Sequence, residues 1–333
     1  MNTQKNQTIG DIADALGVSK TTVSRAISGK GRIGEETRNK ILTYIEEINY
    51  KPNPMAKGLA DQKTYNVGWV IPGDTIAADL PFFQRCMMGV SEVTMAENYD
   101  ILISIIYDDN IAQLKRIVEN KKVDGVIIGR TLVDDKAIKY LNESNLPFVV
   151  IGSTPEKKVI QIDNDHISAC KEITSILLMK GIRKLALIGG STSHVVNISR
   201  QKGFEEAIKE KGLKVDKDLM FLNNETDDDI ERAVDAAIGL GAECLVCMDD
   251  RICYTALLKL HRDNIIIPDR IKIASFYNSD LLANNQPAIT ALKYDPKELG
   301  NFACRKLFKV IDGEDVEERS LLSYEVMLKG STQ

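Results

Sequence analysis

Eight apolar runs of strand length recur from residue 65 onward, and they constrain the fold more than any other feature: YNVGWVIP, ILISII, VDGVIIG, PFVVIG, KLALIGG, LMFLNN, CLVCM and KIASFY. Amphipathic stretches of helical length separate them. Continuous rather than alternating apolar character means that both faces of each strand are covered, which is the condition of a parallel sheet with helices on either side. At 333 residues the chain exceeds what one hydrophobic core organises, so the runs are expected to divide into two α/β lobes.

The composition is that of a globular protein, with 44% hydrophobic and 27% charged residues. The opening MNTQKNQTIG has no apolar run of the signal-peptide kind, and no window resembles a membrane span, so a cytoplasmic protein without membrane contact is expected. Six cysteines are scattered through apolar segments, a pattern of reduced, buried thiols. Cys244 and Cys247 form a C-x-x-C inside an apolar run with no second pair, so neither a metal nor another cofactor is expected. The net charge of -5 is unevenly spread. Residues 1 to 63 carry ten Lys or Arg against seven Asp or Glu, leaving 33 against 41 for the remainder. A locally basic end can bind phosphate because salt screens the acidic remainder beyond about 8 Å.

Those first residues have their own logic. Thr8 followed by Asp11 is a capping pair, and Ile9, Ile12, Ala13 and Leu16 then form one apolar helical face before Gly17. Ser19 can cap a second short helix, with Val23, Ala26 and Ile27 facing inward together with Val18. Lys20, Thr21, Ser24 and Arg25 remain on the opposite, solvent-facing side. Two short helices so tightly joined, the second with a hydrogen-bonding outer face, have helix-turn-helix geometry suited to the DNA major groove. A plain helical bundle would account for the apolar spacing but does not require the tight joint. A third helix is expected from about Glu35 to Ile48. In the following NYKPNPMAKGLA, Asn53 can cap and Pro54 can start a helix, but Gly58 interrupts within two turns, so residues 54 to 60 read as a linker that orders only against a surface.

TIGDIADALGVSKTTVSRAISG at 8 to 29, Thr37-Arg38 and the NYKPNPMAKGLA segment together resemble the lactose-repressor/galactose-repressor family of bacterial transcription factors. PFFQRCMMGVSEVTMAENYDILI, KKVDGVIIG, SRQKGF and IIIPDRIKIASF extend the resemblance over essentially the whole chain. It implies a helix-turn-helix head at 1 to 50, a hinge at 51 to 63 and a two-lobed body like periplasmic binding proteins at 64 to 333. Lobe 1 would span about 64 to 162 and 292 to 320, and lobe 2 about 163 to 291 and 321 to 333. The family match implies that Lys20, Thr21 and Arg25 read bases, that Thr8, Ser19, Thr22 and Ser24 touch phosphates, and that Leu59 wedges into the minor groove. Arg32, Asn53, Ala56 and Lys57 complete the implied interface. The chemistry agrees, since Arg pairs bidentately with guanine and an apolar wedge kinks a flexible base step.

In open parallel sheets ligands bind beyond the carboxyl ends of the strands. The loops there carry Asp74, Arg200, Asp249, Asp250, Tyr277 and Tyr294. Arg200 matches the family's R-x-x-G-F, whose arginine holds effector hydroxyls or a carboxylate, and Asp249 stands where the family often has Asn. Tyr277 replaces an Asp common in sugar-binding members, so with Tyr294, Phe82 and Phe83 the pocket would hold its ligand more by stacking. A sugar or sugar derivative is the expected effector.

The expected partners are therefore a pseudo-palindromic operator, a small-molecule effector and a second copy of the chain, because one head buries too little to discriminate and a dyad lets two heads read two half-sites. No enzyme is expected. G-x-S-x-G, P-loop and dinucleotide-binding signatures are missing, His166, His194 and His261 lack an obvious nucleophile, and Asp227-Asp228-Asp229 reads as a helix start. A secreted solute-binding protein would have a signal peptide and no helical head.

Overall fold

Thr8 opens the first helix, α1 (Ile9–Leu16), through a reciprocal cap. Its hydroxyl accepts from the Asp11 N–H at 3.3 Å, and its own N–H donates to the Asp11 carboxylate at 2.7 Å, so two otherwise orphaned donors are satisfied. Gly17 ends the helix in the left-handed region at φ 66°, where only glycine is free of strain. Ser19 then caps α2 (Lys20–Ser28), its hydroxyl accepting from the Thr22 N–H at 3.1 Å. With α3 (Glu35–Glu47), the helices close a small core of Ile12, Ala13, Val23, Ala26 and Ile41. The structure is a computed structural model that describes residues 7 to 333 except 30, 51–57, 60, 74–79 and 108–109. Where the sequence leads one to expect an unstructured linker, the described Gly58 and Leu59 take helical backbone, and the Lys63 N–H donates to the Gly58 carbonyl at 3.0 Å.

The chain divides at Thr64 into two compact units, and the second, Tyr65–Gln333, contains two six-stranded sheets. The first sheet is built of β1 (Asn66–Pro72), β2 (Asp100–Ile106), β3 (Gly125–Ile128), β4 (Phe148–Ile151), β5 (Ile160–Asn164) and, from far along the chain, β11 (Arg319–Leu322). Its order is β11-β5-β4-β3-β1-β2, parallel throughout. Alternation along the strands sends Val67, Trp69, Ile127, Val149 and Ile162 to one face, against α4 (Leu80–Ala96) and α11 (Pro296–Ile311). Val70, Val126, Ile128 and Val150 face the other way, against α5 (Ala112–Glu119) and α6 (Lys136–Glu143).

The second sheet comprises β6 (Leu185–Ile188), β7 (Met220–Phe221), β8 (Cys244–Cys247), β9 (Lys272–Ser275), β10 (Thr290–Lys293) and β12 (Glu325–Met327). It runs β12-β10-β9-β8-β6-β7, with β12 antiparallel to its neighbour. Its helices are α7 (His166–Met179), α8 (Val195–Glu210), α9 (Asp227–Gly239) and α10 (Asp250–Arg262). The triple-aspartate run begins α9, where Thr226 and Asp229 form a second reciprocal cap. All six cysteines are buried free thiols, and burial pushes those of Cys244 and Cys247 up. The chain passes between the lobes after Asn164, after Lys293 and between Leu322 and Glu325.

Two glycines set how closely the covering helices approach. A Cβ on Gly89 of α4 would stand 1.9 Å from the Lys297 carbonyl oxygen, and one on Gly300 of α11 would stand 2.0 Å from the Cys86 carbonyl oxygen. The two helices therefore meet backbone to backbone, and the amino-terminal turns of both point their residues at the same end of the sheet.

Candidate functional site

The outer face of α2 presents Lys20, Thr21, Ser24 and Arg25 to solvent together, as the helical spacing requires. Thr8, Ser19 and Arg32 are also exposed, and Thr22 is half-buried. The Ser19 and Thr22 hydroxyls lie 2.8 Å apart, and the Thr8 hydroxyl donates to Asp11 at 2.8 Å, so these three side chains hold the helix starts in place. Leu59 is 84% exposed, an unusual position for a leucine in a helical turn. Asn53, Ala56 and Lys57 lie outside the described residues, as does Asp74. The arrangement is a rigidly capped helix with donors, acceptors and two cations on one face.

In the second unit, a cavity of about 550 Å³ lies between the two lobes. Seven of the residues singled out from sequence for the pocket line it: Phe82, Phe83, Arg200, Asp249, Asp250, Tyr277 and Tyr294. The amino-terminal turn of α4 supplies the two phenylalanines from the first lobe, and strand ends and helix starts of the second supply Arg200, Asp249 and Tyr277. The Tyr277 and Tyr294 rings are nearly parallel at 13°, with centroids 6.2 Å apart, and Phe82 meets Tyr277 edge-on at 6.1 Å across the cleft. Burial pushes the ionisation of both tyrosine hydroxyls to higher pH, so they act as neutral donors and acceptors. Asp249 caps α10, one oxygen accepting from the Ile252 N–H at 2.8 Å. Beside it Asp250 is buried, and burial raises its carboxyl above the ordinary range.

Arg200 is the most exceptional lining residue. It is only 8% exposed, its Nε has no hydrogen-bond partner, and no described carboxylate lies within ion-pairing distance. Buried arginines ordinarily have such partners. Asn164, 4% exposed, is the complementary case: its Oδ1 is a buried acceptor without a donor.

Asp163, where the sequence places the boundary between the lobes, and His166, which has no obvious nucleophile beside it in the sequence, both line the cavity together with Asn164, Asn197 and Arg130. His166 Nδ1 stands 3.2 Å from the Tyr294 hydroxyl, and its Nε2 stands 3.4 Å from Asp163. The Ser153 hydroxyl donates to Asp163 at 2.8 Å, and the Asn164 N–H does so at the same distance. Burial would raise the Asp163 carboxyl, but His166, Ser153 and the Asn164 N–H together hold it below the ordinary carboxylate range. The available signal was the polar quartet Asp163-Asn164-Asp165-His166 directly after a strand, where ligands of parallel sheets collect.

The lobes touch on both flanks of the cavity. Arg85 of α4 pairs with Asp280 at 2.6 Å, one turn from the Phe82–Tyr277 contact. Elsewhere the Val133 N–H donates to the Ser193 carbonyl at 2.9 Å, and the Val195 N–H donates to the Thr131 carbonyl at 3.4 Å.

Comparison with known proteins agrees with both halves of this description. The model of the bacterial regulatory proteins of the lacI family matches residues 8–53, and that of a periplasmic binding protein-like domain matches residues 174–332. Catabolite control protein A of Staphylococcus xylosus is 28% identical over 98% of this chain and 99% of its own. The HTH-type transcriptional regulator RegA of Clostridium saccharobutylicum is 27% identical, covering 97% and 98%. Among solved structures, the lac repressor dimer bound to operator and the anti-inducer ONPF has a TM-score of 0.82 at 18% identity, covering 98% of this chain and 99% of its own. The transcriptional regulator CelR in complex with cellobiose has a TM-score of 0.74 at 24% identity, with the same coverage.

Proposed function

This chain belongs to the LacI family of bacterial regulatory proteins, and from that premise we propose that it is a repressor whose operator affinity is set by a carbohydrate bound between the lobes of its body. The observation that carries this reading is the joint presence of a capped helix with Lys20, Thr21, Ser24 and Arg25 exposed on one face and a cavity at strand ends lined by Arg200, Asp249, Tyr277 and Tyr294. Arg25, Lys20 and Thr21 read base edges. Thr8, Ser19, Thr22, Ser24 and Arg32, with Asn53, Ala56 and Lys57, set the register on the backbone, and Leu59 enters the minor groove. The chain acts as a homodimer on a pseudo-palindrome, in the cytoplasm where such DNA is found. Among the described residues no helix is long and apolar enough to cross a membrane.

The cavity chemistry supports a carbohydrate through stacked aromatic rings for the apolar face of a sugar and clustered polar groups for its hydroxyls. Footprinting of the purified chain on its own upstream region tests the first half of the proposal. Two protected half-sites related by a dyad are expected, and one asymmetric site saturated by a monomer would overturn it. A thermal-shift screen with sugars tests the second half.

A further inference from the structure

Two of the side chains assigned to base reading lie on glycines, one at each end of α2. A Cβ added to Gly31 would stand 3.2 Å from both Cδ and Nε of Arg25 and 3.4 Å from its Cγ. One added to Gly10, at the start of α1, would stand 3.2 Å from Cε and 3.4 Å from Nζ of Lys20. Carbon atoms in ordinary contact are about 3.5 to 4.0 Å apart, so each stem lies closer to bare backbone than a methyl group would allow. The neighbouring glycines have no such contact: Gly17 has nothing within 4 Å, Gly29 meets Arg38, and Gly34 meets only Thr37, at 4.0 Å. The two supports come from different parts of the chain, one from the helix before α2 and one from the turn after it.

Exposed lysine and arginine carry large rotamer freedom, and ordering it on binding weakens the contact they make. A stem already laid along backbone has given up part of that freedom before DNA arrives. The gain falls on specificity. A matched base needs the cation at a fixed place and, for a guanidinium fork, a fixed tilt, held within about 0.5 Å. Attraction to the phosphates of any duplex makes no such demand. We infer that Gly10 and Gly31 are positioning residues for base reading, bare-backbone seats that hold Lys20 and Arg25 respectively in the orientation used in the major groove. This rests on the reading that Lys20 and Arg25 contact bases, and it adds to the interface two residues with no hydrogen-bonding side chain.

Selection by the full chain from a pool of randomised duplexes, sequenced after binding, tests the inference, with melting temperature measured beside it. Gly31→Ala should weaken preference at the base pair that Arg25→Ala affects, and Gly10→Ala at the one that Lys20→Ala affects. Each loss should be about two- to tenfold, the range that ordering one such side chain covers, with affinity for random sequence changed by less than about twofold. Once its cation is removed, neither glycine should matter: Gly31→Ala added to Arg25→Ala, and Gly10→Ala added to Lys20→Ala, should select as the cation variants alone do. Gly31 has φ 91°, so its alanine variant is strained; Gly17, at φ 66° in open space, supplies similar strain without a cation. Gly17→Ala should therefore melt lower with its base preference intact. Gly10 is helical and outside the left-handed region, where alanine is the better helix former, so Gly10→Ala carries the test should Gly31→Ala fail to fold. The Thr8 hydroxyl stands 3.3 Å from the position of the added methyl, and a loss acting through that phosphate contact would fall on all sequences alike. The inference fails if the glycine variants keep the wild-type preference, if they weaken all sequences alike, if Gly17→Ala loses preference as Gly31→Ala does, or if their effect persists without Lys20 or Arg25. A wild-type chain that selects no sequence overturns the base-reading assignment itself.

Discussion

In the proposed function Arg25 and Arg200 use the same guanidinium for opposite tasks, and their surroundings differ accordingly. Arg25 is exposed on a short capped helix, free to reach a base edge, where its fork matches guanine O6 and N7. Arg25→Ala is expected to lower specific affinity by about 1 to 3 kcal/mol and relax preference at one base pair per half-site, while binding to random DNA falls far less. Equal losses in competition assays on operator and random duplex would reduce Arg25 to a phosphate contact. Asp163 makes a different residue-scale prediction. Its folded carboxyl titrates below the ordinary value despite burial, through His166, Ser153 and the Asn164 N–H. A depressed value means stability that is fully present above the unfolded Asp value of about 3.9 and lost as pH falls through the lower folded one. Asp163→Asn, which cannot titrate, should therefore flatten the acid limb of a melting-temperature profile between about pH 5 and 3. An unchanged acid limb would mean that the carboxylate is not stabilised in the folded state.

At the scale of elements, the close contact of α4 with α11 determines whether Phe82, Phe83 and Arg85 reach the cleft at all. A methyl at Gly89 or Gly300 would meet backbone at about 2 Å, and backbone cannot rotate away as a flexible side chain can. Gly89→Ala and Gly300→Ala are each expected to cost about 2 to 3 kcal/mol in denaturant unfolding, and the double variant less than the sum, since one outward shift relieves both clashes. Cost-free substitution would mean that the helices stand further apart. The same scale shows what the sequence could and could not convey. The continuous apolar runs all became strands paired in parallel, and the caps at Thr8 and Ser19 marked helix starts to the residue. The strands β5, β10, β11 and β12 were not legible, because Ile160–Asn164 and Arg319–Leu322 mix polar with apolar side chains and β12 has only three residues. Those strands border the crossings between lobes. Their ends carry Asp163, Asn164 and Tyr294 into the cavity, so although the crossing at Asp163 was legible, the part that Asp163 and Asn164 play in lining the candidate site was not.

For the whole molecule the question is whether the two candidate sites share a free energy. In the proposed function the head binds with its linker ordered against the operator. Gly58 and Leu59 stand in a single helical turn closed by the Lys63 N–H, which satisfies very few hydrogen bonds against the cost of helix nucleation. Backbone amides of Leu59 and Asp61 should exchange rapidly in the free chain and slowly on operator DNA, and Leu59→Ala should weaken operator binding without altering ligand affinity in the free body. A ligand that closes the lobes around Arg200 changes operator affinity only if closure and operator binding favour or oppose one another. Linkage then demands reciprocity: the factor by which ligand changes the operator dissociation constant must equal the factor by which operator changes the ligand dissociation constant. Measuring both by fluorescence anisotropy and calorimetry, in one buffer, fixes the sign as inducer or corepressor and yields a factor of about 5 to 150 if coupling is of ordinary strength. Equal ligand affinity with and without operator would separate the two sites energetically, leaving the cavity a ligand site with no hold over DNA binding.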